Sequence, residues 1–593
     1  MDSESPAHIR LRTLCGICGG KLSTHEDFVP LISNDATGSH FRFGNDASLA
    51  FPPGTNLTIQ GKSLCWSLFC GKCDLATEAV ALHADCLKLF KEECKAEDAL
   101  DRMRMAAICR RPWIGAPDLR LDGRKDLGVE VVHEKAESLG IYRLRLLPLE
   151  LLRMIQGYSE FAIFWRYISI VSFARQFSVA PATTDLSPPI RSIPLGDISV
   201  WTRGEEPKLL QSPDHLPFVR LTLDCRGIRQ IERLPRQPPY QSACSSDLAF
   251  LVEKMSDVED VTIQLKYNIS YLKLPTNCRG LNVWDVPSPP ALEDWVFCGH
   301  LNRSMQIRTI DLRDVTGLTF IYASGKVHGI YAHTPARSLP DEVLTDLLRR
   351  FPKRLVCTYL PISKNDEVIA FGVRSRRHGS TFSVQRPSFL IRMKLAGDVY
   401  LGPGDSYQLG DRRDIILSQV PPRLLMYNIP DRGPVTVFGT YSQGRHNDNP
   451  FVPFHWPGYE THTKLFGNFS SALLQDVTHI QVLIDRESRN CRGIIFDYKN
   501  GAQRAVGNCR QGVDIAESYS NPTRICYRYL TYSFSPDMSA RDEMVRVESG
   551  SDSTHCHEEE GWVCRGLEGN LKFWVSDAQS TMRIDMEGEH ESV

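Results

Sequence analysis

The sequence predicts a multidomain α+β protein: a small cysteine-rich amino-terminal domain, a short helical segment, and a large antiparallel β-rich carboxy-terminal region with an internal duplication. Three observations predict it. Cysteines concentrate before residue 110, and apolar residues recur at helical steps between Leu147 and Phe177. From about residue 180 onward, short runs of Val, Ile, Leu, Phe and Tyr alternate with proline and glycine. A chain of 593 residues has room for roughly four structural units.

The amino-terminal cysteines fall in LCGICGG (Cys15, Cys18), LCWSLFCGKC (Cys65, Cys70, Cys73) and ALHADCLKLFKEEC (His83, Cys86, Cys94). Two thiols separated by two residues in a glycine-rich turn point at one ion. The stretch LHADCLKLFKEECK predicts a helix that puts His83 and Cys86, three apart, on one face. Cys15, Cys18, His83 and Cys86 then supply four ligands of the tetrahedral type zinc prefers, and four protein ligands make such an ion structural. A two-site alternative adds Cys70 and Cys73 with help from Cys65 or Cys94, and a cysteine-rich hydrophobic core without metal is the third reading. The residues FRFGNDASLAFPPGTNLT, between the ligand pairs, read as a long exposed insertion.

The first residues, MDSESPAHIRLRTLCGICGG, lack the apolar stretch of a secretory signal, which predicts a cytoplasmic or nuclear address. Eighteen cysteines in such a chain point to metal binding or burial rather than to disulfides. With 69 Lys and Arg against 71 Asp and Glu, the formal net charge is -2, which disfavours nucleic acid as a partner. The most apolar long run, FAIFWRYISIVSFARQF, is interrupted by Arg166 and is too short for a membrane span.

In LLPLELLRMIQGYSEFAIFWRYISIVSFARQF, Pro148 suits a first helical turn. Leu147, Leu151 and Ile155 form an apolar stripe, and Gly157 closes the helix. A second apolar segment, Ile163 to Phe177, is expected to pack back on it as a helical hairpin. Leu147, Pro148, Glu150, Leu151, Leu152 and Ile155 resemble the opening of an F-box, the short helical module that docks on the Skp1 subunit of cullin-type ubiquitin ligases. The layout of the whole chain is similar to that of filamentous-fungal F-box-like proteins. The resemblance implies that Leu147, Pro148, Leu151, Leu152 and Ile155 bind a Skp1-like adaptor while the β-rich tail selects a protein substrate. An ordinary amphipathic helix pair joining two domains is the alternative.

The tail begins with runs such as FVRLTLDC and DVTIQLKY, and DVPSPP forms a rigid extended connection. Beyond it, GLTFIYASG (Gly317 to Gly325) matches GIIFDYKNG (Gly493 to Gly501) at an offset of 176. DEVIAFGV from Asp366 matches DEMVRVES from Asp542 at the same offset, and LAGDV from Leu395 matches LEGNL from Leu567 at 172. Three landmarks in one order at near-constant spacing indicate a duplication. Each nonapeptide reads as a hairpin with its Phe and Tyr on one face, and SG or NG supplies the positive-φ turn.

The repeat is similar to the jacalin-like β-prism family. That likeness implies a fold and a carbohydrate-binding alternative, without sugar ligands that can be carried over by residue. Among polar positions, Tyr322, His328 and His333 in the first copy correspond to Tyr498, Arg504 and Asn508 in the second. The tyrosines are expected to pack and the histidines to face solvent. No phosphate loop, HExxH, GxSxG or GxGxxG pattern is present. HCHEEE (His555 to Glu560) reads as a disordered loop, and RSRRHG (Arg374 to Gly379) as a strand exit.

The expected division is 1–115 (zinc domain), 140–180 (F-box-like helices), 190–300 (first β region), 301–410 (β module), 411–475 (connector), 476–580 (second β module) and 581–593 (acidic tail). The expected function is that of a non-catalytic intracellular adaptor, with a lectin-like protein as the alternative.

Overall fold

The computed structural model describes residues 8–33, 41–43, 49–52, 58–59, 62–66, 73–119, 121, 123, 128–159, 162–178, 189–210, 216–242, 246–275, 280–301, 304–335, 355–376, 386–404, 412–430, 433–442, 452–454, 467–532, 542–550, 557, 560–576 and 579–586. The chain divides into two compact units, Met1–Pro289 with Leu301–Ile307, and Pro290–His300 with Arg308–Val593.

The first unit opens on a seven-stranded sheet. Its order is Phe41–Phe43, Asp27–Ser33, Cys73–His83, His8–Cys15, Lys62–Cys65, Thr58–Ile59, with Leu49–Ala50 beside Asp27–Ser33. Three of these strands come from the segment expected as an exposed insertion, which therefore contributes to the sheet. His8–Cys15 runs parallel to both neighbours. Period-two alternation sends Ile9 and Leu11 into one apolar cluster and turns Arg12 to the other face, where it is buried. A buried guanidinium needs a partner. Arg12 donates to Glu78 at 3.1 Å, and Arg111 donates to Asp118 at 2.5 Å and to Glu78 at 3.4 Å. Burial would raise the Glu78 carboxyl, but the two arginines hold it below its ordinary range.

Five helices follow among the described residues: α1 (Ala84–Glu93), α2 (Ala99–Cys109), α3 (Val129–Ser138), α4 (Leu149–Tyr158) and α5 (Ile163–Ser178). The α4 helix starts one residue after Pro148, which stands at its N-cap, and it includes Gly157 rather than stopping there. The α5 helix is apolar on most of its circumference, which requires burial on several sides. Its Phe173 and Phe177 pack with Phe90 of α1, Met103 and Ala107 of α2, and Tyr271 of the strand Ile269–Lys273. Segments expected as three separate parts (1–115, 140–180 and 190–300) thus share one core.

Seven strands of this unit run in the order Lys208–Leu209, Ile198–Thr202, Gly227–Leu234, Phe218–Asp224, Ala249–Lys254, Asn282–Trp284 and the start of Met305–Asp311. A three-stranded antiparallel sheet of Arg191–Pro194, Thr262–Lys266 and Ile269–Lys273 shares with them a core of Trp201, Leu221, Ile231, Ile263 and Leu272. No helix among the described residues is long and apolar enough to cross a membrane.

The second unit is built from antiparallel strands. Gly317–Ala323 lies between Lys326–His333 and Leu355–Pro361. Cys491–Tyr498 lies between Gln503–Gly507 and Val477–Ile484, which also pairs with Ile515–Ser520. Each nonapeptide therefore forms the first strand of a hairpin, with Phe320 and Phe496 fully buried in the same cluster. The turns differ. Ser324 and Gly325 both have positive φ, as a two-residue type I′ turn demands, whereas in the longer second turn only Gly501 does. The third strand differs as well: the first copy takes it from later in the chain, and the second copy from earlier.

The copies are not separate bodies. One seven-stranded sheet runs Arg412–Ser418, Val368–Arg376, Ser388–Met393, Gly397–Pro403, Asn468–Leu473, Asn570–Val575, Ser580–Asp585, and so joins both copies through a strand of the expected connector. The segment 411–475 contributes three further strands: Arg412–Ser418, Leu424–Ile429 and Phe438–Tyr441. Phe320, Phe371, Phe389, Phe438, Phe496 and Phe573 belong to one apolar core. Trp295–Cys298 pairs with Phe438–Tyr441, and Asp542–Gly550, Arg524–Tyr532 and Val563–Gly566 form a three-stranded sheet.

Because one core serves both copies, Phe320→Ala and Phe496→Ala should each cost about 3–5 kcal/mol. Both should lower the same calorimetric transition. Two transitions, each moved by only one substitution, would contradict a shared core.

Candidate metal centre

Two chain turns bring the four expected ligands together. Cys15 ends the strand His8–Cys15 and opens a tight loop, in which its N–H donates to the Gly20 carbonyl and the Gly19 N–H donates to the Cys15 carbonyl, both at 2.8 Å. Gly19 has φ 74°, a conformation that glycine adopts without strain. A Cβ at Gly16 would come within 2.8 Å of Ala107 Cβ and Val80 Cγ1, so the loop passes its neighbours too closely for a side chain. The Gly20 N–H donates to Cys18 Sγ at 3.3 Å. On the other side, the strand Cys73–His83 runs straight into α1 with His83 at its N-cap. His83 and Cys86 therefore sit at the helix N-terminus, whose partial positive charge favours thiolate.

Cys18 Sγ and Cys86 Sγ each lie 3.5 Å from His83 Nδ1. The four donor atoms of Cys15, Cys18, His83 and Cys86 all lie within 4.8 Å of one another and could hold one metal ion. Cys15, His83 and Cys86 are buried, while Cys18 is half-buried. The electrostatics are those of a site that shares protons among its donors. Burial would raise the Cys15 thiol, but hydrogen bonds from Cys18, Cys86 and His83 hold it well below its ordinary value. Burial would lower His83, but its bonds to Cys15 and Cys18 raise it to about 10. Cys86 is pushed up by its bonds to Cys15 and Cys18. A bound cation would displace these protons, so its retention must weaken as pH falls.

Outside the ligands, Glu26 Oε2 lies 3.3 Å from His83 Nε2, an ion-pair distance without hydrogen-bond angles. Glu26 also accepts from the Ser23 N–H at 2.6 Å and from Arg166 of α5 at 3.0 Å. A carboxylate behind a metal-binding imidazole fixes its orientation. Sequence spacing carries no sign of Glu26 or Arg166, because the sheet and α5 deliver them from distant segments.

The two-site alternative rests on Cys70 and Cys73 with Cys65 or Cys94. His8, Cys65 and Cys73 converge as a second group that could hold a metal, with His8 directly opposite Cys73 in the parallel ladder. His8 was missed because only strand pairing brings it there. Cys70 lies outside the described residues. Cys94 joins neither group: it caps the far end of α1, about 15 Å of helix rise from the first turn, and is buried among apolar residues.

The helical candidates separate by exposure. Leu151 (41%) and Ile155 (37%) are exposed on α4, Pro148 is exposed at its start, and Leu147 is partly buried. Leu152 is a correction: at 0% exposure it packs on Val132, Trp165 and Ile168, so it holds α4 to α3 and α5 and cannot reach a partner.

In the second unit, Tyr322 is buried and its hydroxyl donates to the Pro387 carbonyl at 3.2 Å, while the Tyr498 hydroxyl donates to the Leu473 carbonyl at 2.7 Å. His333, expected in solvent, is instead buried 2.7 Å from the Thr319 hydroxyl, and burial pushes it down to about 4. His328 is half-buried. Arg504 donates to the Ala396 and Asp398 carbonyls, and Asn508 bonds the Cys357 N–H and the Leu355 carbonyl at 2.9 and 3.1 Å. These groups serve the fold. Arg374 pairs with Asp414, and of HCHEEE the structure describes only His557 and Glu560.

No protein-family model matches the chain, and no curated protein is significantly similar to it.

Cys15→Ala in the full chain should remove one bound metal per molecule and lower the melting temperature of the first unit. Cys94→Ala should leave metal content unchanged. Native mass spectrometry with parallel metal analysis reads both, and a metal count untouched by Cys15→Ala would refute the centre.

Proposed function

We propose that the chain is a non-catalytic intracellular adaptor, an F-box-like substrate receptor, in which a structural zinc ion braces the helices that dock a Skp1-like subunit. Donor spacing supports zinc: a tetrahedral ion with bonds of about 2.3 Å to sulfur and about 2.05 Å to nitrogen has S···N edges of about 3.5–3.6 Å. The two S···N distances at His83 are both 3.5 Å. Apparent zinc binding energies of about 10–16 kcal/mol in small domains are ample to set this local geometry.

One observation carries the docking role. Between residues 139 and 163 the surface exposes Leu139, Ile141, Tyr142, Leu146, Leu151, Met154, Ile155, Tyr158 and Ile163; elsewhere among the described residues no stretch of that length exposes more than two large apolar side chains. Such a patch marks a partner surface. It coincides with the residues that resemble an F-box, and Leu152 anchors it from beneath. The β-rich unit, with its loops carried on a shared core, is the part left to hold a protein substrate.

A polar cleft of about 300 Å³ in the second unit favours the carbohydrate reading. Tyr359, His479, Gln481, Asp497 and Gln503 line it, an aromatic ring among hydrogen-bonding groups. Selective signals for the full chain on a glycan array, abolished by Asp497→Ala, would establish that reading; an array without selective signals would remove it.

For the adaptor, affinity capture of the tagged chain should recover a Skp1-like protein. Leu151→Asp should abolish that recovery with little change in thermal stability, whereas Leu152→Ala should cost about 2–5 kcal/mol of stability. Undiminished capture by Leu151→Asp, or no such protein with the wild-type chain, would end the proposal.

A further inference from the structure

We propose that Cys526, His557 and Cys564 form another metal-binding site, in the second unit, for a thiophilic divalent cation of the zinc type. Their three donor atoms lie within 4.8 Å of one another. The sheet builds the site directly. Cys526, in the strand Arg524–Tyr532, stands opposite Cys564 of Val563–Gly566 on one side and opposite Glu548 of Asp542–Gly550 on the other. Residues directly opposite in an antiparallel ladder project from the same face, so Glu548, Cys526 and Cys564 form a row across three strands.

His557 is set over this row with its two nitrogens in different roles. Nε2 lies 3.4 Å from Cys564 Sγ, and Nδ1 lies 3.6 Å from Glu548 Oε2. A ligating imidazole whose other nitrogen faces a carboxylate is the usual arrangement of a protein metal site, since the carboxylate fixes the ring and raises its basicity. The ring is also stacked on Trp562, with centroids 4.3 Å apart and planes 8° from parallel, which leaves it little freedom to turn away. Two thiols and an imidazole select zinc-like ions over magnesium or calcium, which take oxygen donors. Cys526 is buried and Cys564 exposed, so the site is anchored in the sheet yet reachable from solvent.

Two facing cysteines could instead be joined by a disulfide, and the experiment separates the possibilities. The full chain, purified under reductant, is loaded with cobalt(II) as a spectroscopic stand-in for zinc. Metal per chain is counted for the wild type, for Cys564→Ser with His557→Ala, and for Glu548→Gln. The double variant should bind one cobalt fewer and lose part of the thiolate-to-cobalt absorption while melting as a folded protein. Glu548→Gln keeps all three donors. It should bind the same number of ions at saturation but with about 10–100-fold weaker affinity at this site. Equal metal content in the wild type and the folded double variant would overturn the site, as would a Cys526–Cys564 disulfide that persists under reductant.

Discussion

The first unit is organised around the junction at His83, where the long strand Cys73–His83 becomes α1 without an intervening loop. Strand and helix place side chains by different periodicities, so the direction in which the helix leaves the sheet needs an external constraint. The loop carrying Cys15 and Cys18 provides it. It belongs to the neighbouring strand, and a single ion held by both sides would join two central strands of the sheet, the loop and the helix in one rigid corner. The aromatic contacts of Phe90 with Phe173 and Phe177 then follow from the direction of α1.

From that corner the order extends to the surface. Glu26 stands between His83 and Arg166, and Arg166 lies on α5 close to Trp165 and Ile168, which hold Leu152 of α4. The apolar side chains that α4 shows to solvent are thus mounted on a helix whose opposite side is packed. If a partner covers these side chains as proposed, little conformational entropy is lost, because their backbone is already ordered.

Much of this was legible from residue spacing. C-x2-C in a glycine turn and a histidine three residues before a cysteine on a helix are local patterns, and local patterns survive without tertiary information. The hairpins at Gly317 and Gly493 were legible for the same reason. What could not be read was assembly across distance. His8 meets Cys65 and Cys73 only through ladder register, Glu26 reaches His83 only because the strand it precedes, Asp27–Ser33, pairs with Cys73–His83, and Cys526 meets Cys564 across a sheet. The duplication misled in one respect: matched landmarks suggested two modules, whereas strands of both copies belong to one sheet, those of the first copy on one side of Asn468–Leu473 and those of the second on the other. Sequence similarity records where the copies came from and does not specify which edges they share.

That sharing has a consequence for biosynthesis. The backbone of Leu355 and Cys357 is completed by the amide of Asn508, and the bend at Ala396 and Asp398 by the guanidinium of Arg504. Asn468–Leu473 waits for Asn570–Val575 on its open side. As the ribosome extrudes the chain, the first half of this unit therefore emerges with unmatched edges and stays unfinished until Asn570–Val575 is made. The strand Asn570–Val575 acts as the closing clasp, and until it pairs, the edge of Asn468–Leu473 is open to pairing with other chains.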